Sequence, residues 1–458
     1  MSLQSRLKVL VESLPEGVGR ALSRTPFTLR LGPEYRRMRR SIVCAELQSS
    51  QDSAALFLRM RKLLERAFAE VEFYRDFYAA RGFSLKDFRS LSDWERIPVV
   101  TKADMQAVAL RSRCAPAARG MRINSGGTTG QPLEFLVDNR AFAREWAHMH
   151  YLWAARGYDP RQLKVTLRGK HFDTSQPLRY NAVHNEYVAN SSRPMHEIVA
   201  AVLALPRTSV IRWIHGYPSL VSEFARYLAA HPAPVHARFR ANLYGVLLGS
   251  EYPAPVYRST IERELSTNIV SWYGHSEMAV LARETAAGVY ESFPTYGYAE
   301  AVATEHGDAH RLVVTSLHNH VHPFIRYDTG DLIEPIATRG GSLSFRISEG
   351  RVGDFVVDRR GNRHALTSVI FGRHHEAFEL LQHVQVRDDG GGCVTLLVTP
   401  RISGVSADEI FRRFDLQDLD IEWRLEVRKT PVRTAAGKIR LKVATDPSGA
   451  VSTEFGPN

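Results

Sequence analysis

The sequence predicts an α/β protein in two parts, a large amino-terminal domain over residues 1–350 and a small carboxy-terminal one over residues 351–458. Three observations lead there. Segments with apolar residues at helical spacing alternate with short β-rich runs. Glycine-bearing polar motifs stand beside two of those runs, where open α/β sheets place their sites. A glycine-flanked stretch at residues 350–354 offers a boundary, and the chain beyond it has the size of a small domain.

Taken in order, residues 53–82 read as one helix, because Leu56, Met60, Leu63, Leu64, Phe68 and Val71 recur at helical spacing ahead of Gly82. A second helix follows Asp138, which can cap its start; Phe142, Trp146, Met149 and Trp153 make one apolar stripe, and Gly157 ends it. A third covers residues 219–230. These stripes are read as core, and the tryptophans as packing residues. Strands are expected over 243–248, 268–273, 311–316, 343–347, 394–399 and 422–428.

A chain of 458 residues with 44% hydrophobic content can fill the cores of two or three domains. No run approaches the ~18 apolar residues of a membrane span, and the first residues carry Glu12 and Glu16 without an apolar signal core, so a cytoplasmic protein with no transmembrane segment is expected. Cys44, Cys114 and Cys393 are far apart and show no CxxC spacing, which favours isolated thiols over a disulfide framework or zinc site. The net charge of +11 suits an anionic partner without choosing between nucleotide, coenzyme, nucleic acid and acidic membrane. The densest basic stretch, residues 20–40 with Arg36, Arg37, Arg39 and Arg40, reads as a solvated face. It has no accompanying nucleic-acid-binding motif, so nucleic acid is not expected as a partner.

The chemistry-bearing motifs begin with Asn124-Ser125-Gly126-Gly127-Thr128-Thr129-Gly130-Gln131-Pro132, in which glycines let backbone approach a phosphate and threonine hydroxyls donate to it. The lysine of a Walker loop is absent, and a strand over 133–137 is expected to follow in place of a helix. Downstream stand Leu248-Gly249-Ser250-Glu251, Trp272-Tyr273-Gly274-His275-Ser276-Glu277, Arg326-Tyr327-Asp328-Thr329-Gly330-Asp331, Gly350-Arg351-Val352-Gly353-Asp354 and Arg433-Thr434-Ala435-Ala436-Gly437-Lys438. His318, His320 and His322 alternate as metal ligands on a strand would, but no cysteine is near and they are read as incidental.

The ordered motif set resembles the adenylate-forming superfamily of acyl-CoA synthetases, luciferases and adenylation domains. More narrowly, it is similar to the phenylacetate-CoA ligase-like branch, particularly members associated with capsular polysaccharide gene clusters. That narrower likeness rests on Phe73-Tyr74-Arg75, Ile97-Pro98 with Thr101-Lys102, His215-Gly216-Tyr217-Pro218-Ser219, and Ser316-Leu317 leading to Arg326-Tyr327, within residues 60–445.

The resemblance implies a large amino-terminal adenylate-forming domain, a small mobile α+β carboxy-terminal lid, and a reaction of ATP with a carboxylic acid. Ser125, Gly126, Gly127, Thr128, Thr129 and Gly130 would receive phosphates. Gly249, Ser250, Glu251, Trp272, Tyr273, Gly274 and Ser276 would line the nucleotide site, with a tyrosine face for adenine. Asp331 would accept the ribose hydroxyls and Arg351 would donate near them. Glu277 with Thr128 would hold Mg2+. Lys438 would bridge the carboxylate and the α-phosphate. Tyr217, Trp272 and His275 are candidates for the acyl site, His275 also for catalysis. Gly353 and Asp354 compete as the hinge. Coenzyme A is the default acceptor, with an amine, a hydroxyl or a carrier-protein thiol as alternatives. A non-catalytic nucleotide-binding or membrane-peripheral scaffold is the reading from another class.

Overall fold

The structure, a computed structural model, describes residues 14–47, 53–116, 120–124, 133–168, 170, 172, 175–190, 193–304, 310–349, 355–361, 363–366, 369–370, 375–401, 404–417, 419–433 and 439–443. The chain forms two compact units. The first comprises Gly17–Arg161 and Val270–Arg351, the second Met1–Glu16, Gln162–Ile269 and Val352–Asn458.

After two short helices, Glu16–Ser23 and Phe27–Arg30, the first unit has α1 (Gly32–Leu47), α2 (Ser53–Glu70), α3 (Glu72–Ala79) and α4 (Lys102–Gln106). On α1, Tyr35, Met38 and Ile42 enter a small core with Phe27 and Ala147, while Arg36, Arg37 and Arg40 face solvent. The single helix expected over 53–82 is two helices. Val71 leaves the α conformation at φ −119° and ψ 110°, geometry that a β-branched residue favours. It buries in the same core as Met60 and Leu64, and the restarted helix turns Phe73, Tyr74, Phe77 and Tyr78 into that core.

A hairpin of β1 (Met121–Asn124) and β2 (Glu134–Val137) flanks the glycine-threonine loop, and α5 (Ala141–Ala154) follows. Asp138 accepts the Arg140 N–H at 2.7 Å, two residues ahead of its own position, and Arg140 itself occupies the N-cap. On α5, Met149 and Trp153 are buried as expected, but Phe142 is 42% exposed. The inward positions of its first turns belong instead to Ala141, Arg144 and Ala147, with Arg144 held by the carboxylates of Asp138 and Glu34.

In the second unit, β3 (Leu163–Leu167), β4 (Leu178–Asn181), β5 (Glu186–Ala189), β6 (Ile211–Gly216) and β7 (Gly245–Leu248) lie in the order β7-β6-β3-β5-β4, parallel except for β4 at the edge. Short, nearly all-apolar runs such as Gly245–Leu248 are what a parallel sheet covered on both faces requires. Helices α6 (Met195–Leu203), α7 (Pro218–Ala229) and α8 (Pro255–Leu265) contribute to its core. Proline at the first position of α7 gives up an N–H that would have had no helical partner.

The chain then builds the antiparallel sheet of the first unit from β8 (Asn268–Gly274), β9 (Leu281–Ala286), β10 (Val289–Ser292), β11 (Gly297–Ala303), β12 (His310–Ser316), β13 (Tyr327–Arg339) and β14 (Ser342–Glu349), ordered β11-β12-β13-β14-β10-β9-β8. Its buried face joins the core of α2 and α3.

The carboxy-terminal part is a small α+β domain with its own core. It has a β15 (Phe355–Val357) and β16 (Arg363–Ala365) hairpin, then a sheet of β17 (Leu381–Gly390), β18 (Cys393–Pro400), β19 (Glu422–Val427) and β20 (Lys442–Val443) in the order β19-β18-β17-β20, with α9 (Ala407–Arg412) before β19. All six expected strands are present. Their boundaries differ by at most two residues, as at Leu243, which caps the preceding helix Ala233–Asn242, and at Glu349, where β14 runs past the expected end. Among the described residues no helix is long and apolar enough to cross a membrane, and Cys44, Cys114 and Cys393 are free thiols.

Candidate active site

In the first unit the site residues gather at the end of β8 and on β13. Alternation along β8 sends Trp272 and Tyr273 to opposite faces. Trp272 meets Trp153 edge-on at 5.5 Å, and Tyr273 meets Phe345 edge-on at 5.6 Å. The Tyr273 hydroxyl donates to the Asp331 carboxylate. Asp331 is buried, and its N–H donates to the Thr329 hydroxyl at 3.1 Å, while Asp328 accepts the Gly330 N–H at 2.9 Å. Gly330, at φ +77°, makes this tight local bonding possible. Burial raises the Asp328 carboxyl above its ordinary range. Just past β8, His275 Nδ1 lies 3.0 Å from Glu277 Oε2, with the two side chains only 7% and 8% exposed.

The Arg326 motif is braced from the amino-terminal segment. Arg326, at φ 44°, lies 3.1 Å from Glu300 and donates to the carbonyl oxygens of Glu95, at 2.6 Å, and Ile97. Trp94 Nε1 donates to Glu300 at 2.8 Å, and Val100 exchanges backbone bonds with Arg326 and Asp328 at 2.9 and 2.8 Å. Burial holds the Glu300 carboxyl above its usual range, against the pull of Arg326. The Thr101-Lys102 pair begins α4, where Thr101 and Asp104 form a reciprocal capping box. These two motifs are thus tied together as one scaffold beneath Asp331.

The three alternating histidines do not act together. His318 Nε2 approaches the Thr295 carbonyl at 2.7 Å, and His322 packs on Phe135 and Phe324. Burial pulls both down to about 3.

In the second unit the residues cluster at the carboxyl ends of β3, β6 and β7. A Cβ on Gly216 would stand 2.4 Å from the Leu167 carbonyl oxygen, so the close strand approach requires glycine. The Gly249 N–H donates to the Gly216 carbonyl at 3.3 Å. Ser250 is left-handed at φ +70°, and its hydroxyl accepts from Arg168 at 2.8 Å. The Arg168 guanidinium also lies 5.6 Å from the centre of the Tyr217 ring. Glu251 accepts the Ser219 hydroxyl at 2.7 Å and N–H at 3.3 Å through one oxygen, and the Ile439 N–H at 3.0 Å through the other. On one face of the sheet Lys164 is buried 3.1 Å from Glu186, which also accepts from Thr166 at 2.6 Å. Burial would raise Glu186, but Lys164 and its other neighbours hold it well below the carboxylate range. His215, on the strand beside Thr166, is kept neutral by burial.

No family model matches the chain. Among curated proteins, the phenylacetate-coenzyme A ligase of Escherichia coli (strain K12) is 28% identical over 346 residues, 69% of this chain and 74% of the relative. Among solved structures, 2-hydroxyisobutyryl-CoA ligase in the postadenylation state with R3-HIB-AMP aligns at a TM-score of 0.64 and 17% identity, over 86% of this chain and 90% of that one. An acyl acid amido synthetase in complex with 2,4-DB aligns at 0.55 and 11% identity, over 82% and 84%. The chain is thus similar in sequence to a phenylacetate-coenzyme A ligase and in fold to a 2-hydroxyisobutyryl-CoA ligase. Its likeness to the phenylacetate-CoA ligase-like branch agrees with the motif reading, and its large sheet-bearing part with a separate small carboxy-terminal sheet is the fold of these ligases.

Of the residues assigned from the adenylate-forming motifs, the first unit brings Tyr273 onto Asp331 and His275 beside Glu277. The second groups Tyr217, Gly249, Ser250 and Glu251. Ser125, Gly126, Gly127, Thr128, Thr129, Gly130, Arg351 and Lys438 lie outside the described residues, as do the hinge candidates Gly353 and Asp354. Arg168 carried no sequence signal; it acts through a tertiary contact that no local motif encodes. Among the described residues no group of three or more His, Cys, Asp or Glu could enclose a metal. A single carboxylate ligand such as Glu277 would fit magnesium, which keeps several waters and takes its remaining oxygens from substrate phosphates.

Proposed function

We propose that this chain is an AMP-forming carboxylate ligase that activates a carboxylic acid with ATP and transfers the acyl group to coenzyme A. The observation that carries the reading is the buried Asp331 carboxylate fixed by the Tyr273 phenol, with the His275–Glu277 pair just beyond the same strand. A fixed, acceptor-only carboxylate suits the two hydroxyls of a ribose.

In the first step a carboxylate oxygen attacks the α-phosphorus, the bond to the β-phosphate oxygen breaks, and pyrophosphate leaves. In the second, the acceptor sulfur attacks the acyl carbon, the bond to AMP breaks, and the thiol proton passes to solvent. Asp331 holds the ribose, Tyr273 orients Asp331 and offers its ring to the base, and the glycine-threonine loop receives the phosphates. Glu277 and Thr128 would hold magnesium, which neutralises phosphate charge. Lys438 stabilises the charge developing between carboxylate and α-phosphate. The phenylacetate ligase relative favours coenzyme A as the acceptor, while the amido synthetase fold match keeps an amine as a second reading.

ATP–pyrophosphate exchange across aromatic, aliphatic and amino acids tests the first step, and product mass with coenzyme A or amines tests the second. Lys438→Ala is expected to slow pyrophosphate release roughly 10²–10³-fold with ATP binding retained. Absence of exchange with every acid would instead favour a non-catalytic nucleotide-binding scaffold.

A further inference from the structure

Gln385 on β17 is 1% exposed and holds both sides of the segment that contains Lys438. Its amide nitrogen donates to the carbonyls of Val432 and Arg440 at 2.9 and 2.8 Å, and its oxygen accepts the Val432 N–H at 2.7 Å. Arg433 and Ile439 form an antiparallel bridge between these points. The residues on either side of 434–438 are therefore fixed to one another.

A second set of contacts in the same unit ties these flanks and β17 to Glu251, just past β7, and to helices α7 and α8. The Ile439 N–H donates to Glu251 at 3.0 Å, Arg433 pairs with Glu223 on α7 at 2.9 Å, and the Tyr257 hydroxyl on α8 lies 3.3 Å from His383 Nδ1. These contacts are unequal. The Arg433–Glu223 pair is solvated at its arginine end and contributes little. The Glu251 bond is charge-assisted, and its carboxylate is already oriented by two donors from Ser219 at the start of α7.

We infer that Glu251 is a positioning residue for acyl-adenylate formation: its carboxylate seats the backbone of Ile439, the residue directly after Lys438. The inference rests on the proposed function, in which Lys438 serves the first half-reaction. It gives Glu251 a task other than lining the nucleotide site. With one oxygen on Ser219 and the other on Ile439, the carboxylate joins the start of a helix to the residue that follows Lys438 in sequence. A lysine whose neighbouring backbone is held in register meets the developing charge without reorganisation.

The test uses the full-length chain and two readouts. Hydrogen–deuterium exchange of a peptide spanning residues 430–443 reports the seat itself, without any assumption about activity. Pre-steady-state pyrophosphate release, ATP titration and acyl transfer from preformed acyl-AMP report its use. In Glu251→Ala the Ile439 amide should exchange about tenfold faster or more, and pyrophosphate release should slow by about the same factor. ATP affinity should change less than about twofold, and acyl transfer should slow far less than adenylation. Should Glu251→Ala fail to fold, Ser219→Ala, which removes only the hydroxyl donor, should give a smaller form of the same pattern. Unchanged exchange overturns the inference. Faster exchange with weakened ATP affinity and normal turnover also overturns it, and returns Glu251 to the nucleotide pocket. If the wild-type chain makes no acyl-AMP from any acid, the functional reading fails, and exchange alone then decides whether Glu251 seats Ile439.

Discussion

Asp331 and Tyr273 are 58 residues apart in sequence and joined by a hydrogen bond from the phenol to the carboxylate, so their energetic roles can be separated by substitution. Asp331→Ala removes the ribose acceptor of the proposed function, and charge-assisted bonds of this kind contribute about 1.5–3 kcal/mol, so ATP affinity should fall roughly 10- to 100-fold. Tyr273→Phe keeps the ring and removes only the hydroxyl's hydrogen bond to the carboxylate; a loss below about tenfold is expected. Calorimetric titration with ATP separates the two, and unchanged affinity in Asp331→Ala would remove Asp331 from the ribose site. The motifs that carry these residues could be marked in the sequence, because glycine turns and short polar bonds, such as Gly330 with Asp328, are written in adjacent letters, while the roles of Tyr273 and Asp331 came from the resemblance alone. The partner of Glu251 was not legible. Ile439 lies 188 residues away, and nothing in a carboxylate's neighbours tells which distant backbone N–H will reach it.

Elements were read well where the pattern has a single solution and poorly where two solutions share one pattern. The six strands declared themselves by β-branched and aromatic runs. The break at Val71 did not, because a helix that stops and restarts can keep the same apolar spacing on both sides of the stop. The Arg326 motif shows another limit: its sequence suggests ligand chemistry, yet its guanidinium is buried against Glu300 and two backbone carbonyls. Glu300→Ala leaves that cation buried without its counter-charge, a change that costs about 3–5 kcal/mol. Urea unfolding followed by tryptophan fluorescence should show this loss, and the double variant Glu300→Ala with Arg326→Met should recover part of it. A Glu300→Ala protein as stable as the wild type would mean that the pair does not brace β13.

At the scale of the whole molecule, the α/β class and the small carboxy-terminal sheet followed from the order of elements. The division into units did not, because residues 17–161 fold with 270–351 and leave the intervening segment to the other unit. Both units bury histidines that composition alone would count as titratable near neutrality. Burial lowers His148 to about 4 and His318 and His322 to about 3, and it holds His215 and His383 well below their ordinary value. His148 approaches the Arg144 carbonyl at 2.8 Å and the Thr295 hydroxyl at 2.9 Å, partners suited to a neutral ring. An unfolded chain protonates each of these rings near pH 6.5, whereas the folded chain does not until the pH reaches the lowered value. The unfolded state therefore binds more protons between those limits, so this stability is complete above about pH 6.5 and falls as the pH drops toward 4 and then 3. Each histidine contributes a slope of about 1.4 kcal/mol per pH unit inside its window. Glu300 and Asp328, whose carboxyls burial raises, oppose the loss at the acidic end. Calorimetric unfolding from pH 7.5 to 5 should thus show a Tm that is flat near neutrality and declines with increasing steepness below about pH 6.5. His322→Phe tests the assignment, because the ring already sits against Phe135 and Phe324 and the substitution removes only its titration. It should flatten the decline by about one proton's share; an unaltered slope would show that His322 is not among the groups that make the fold acid-sensitive.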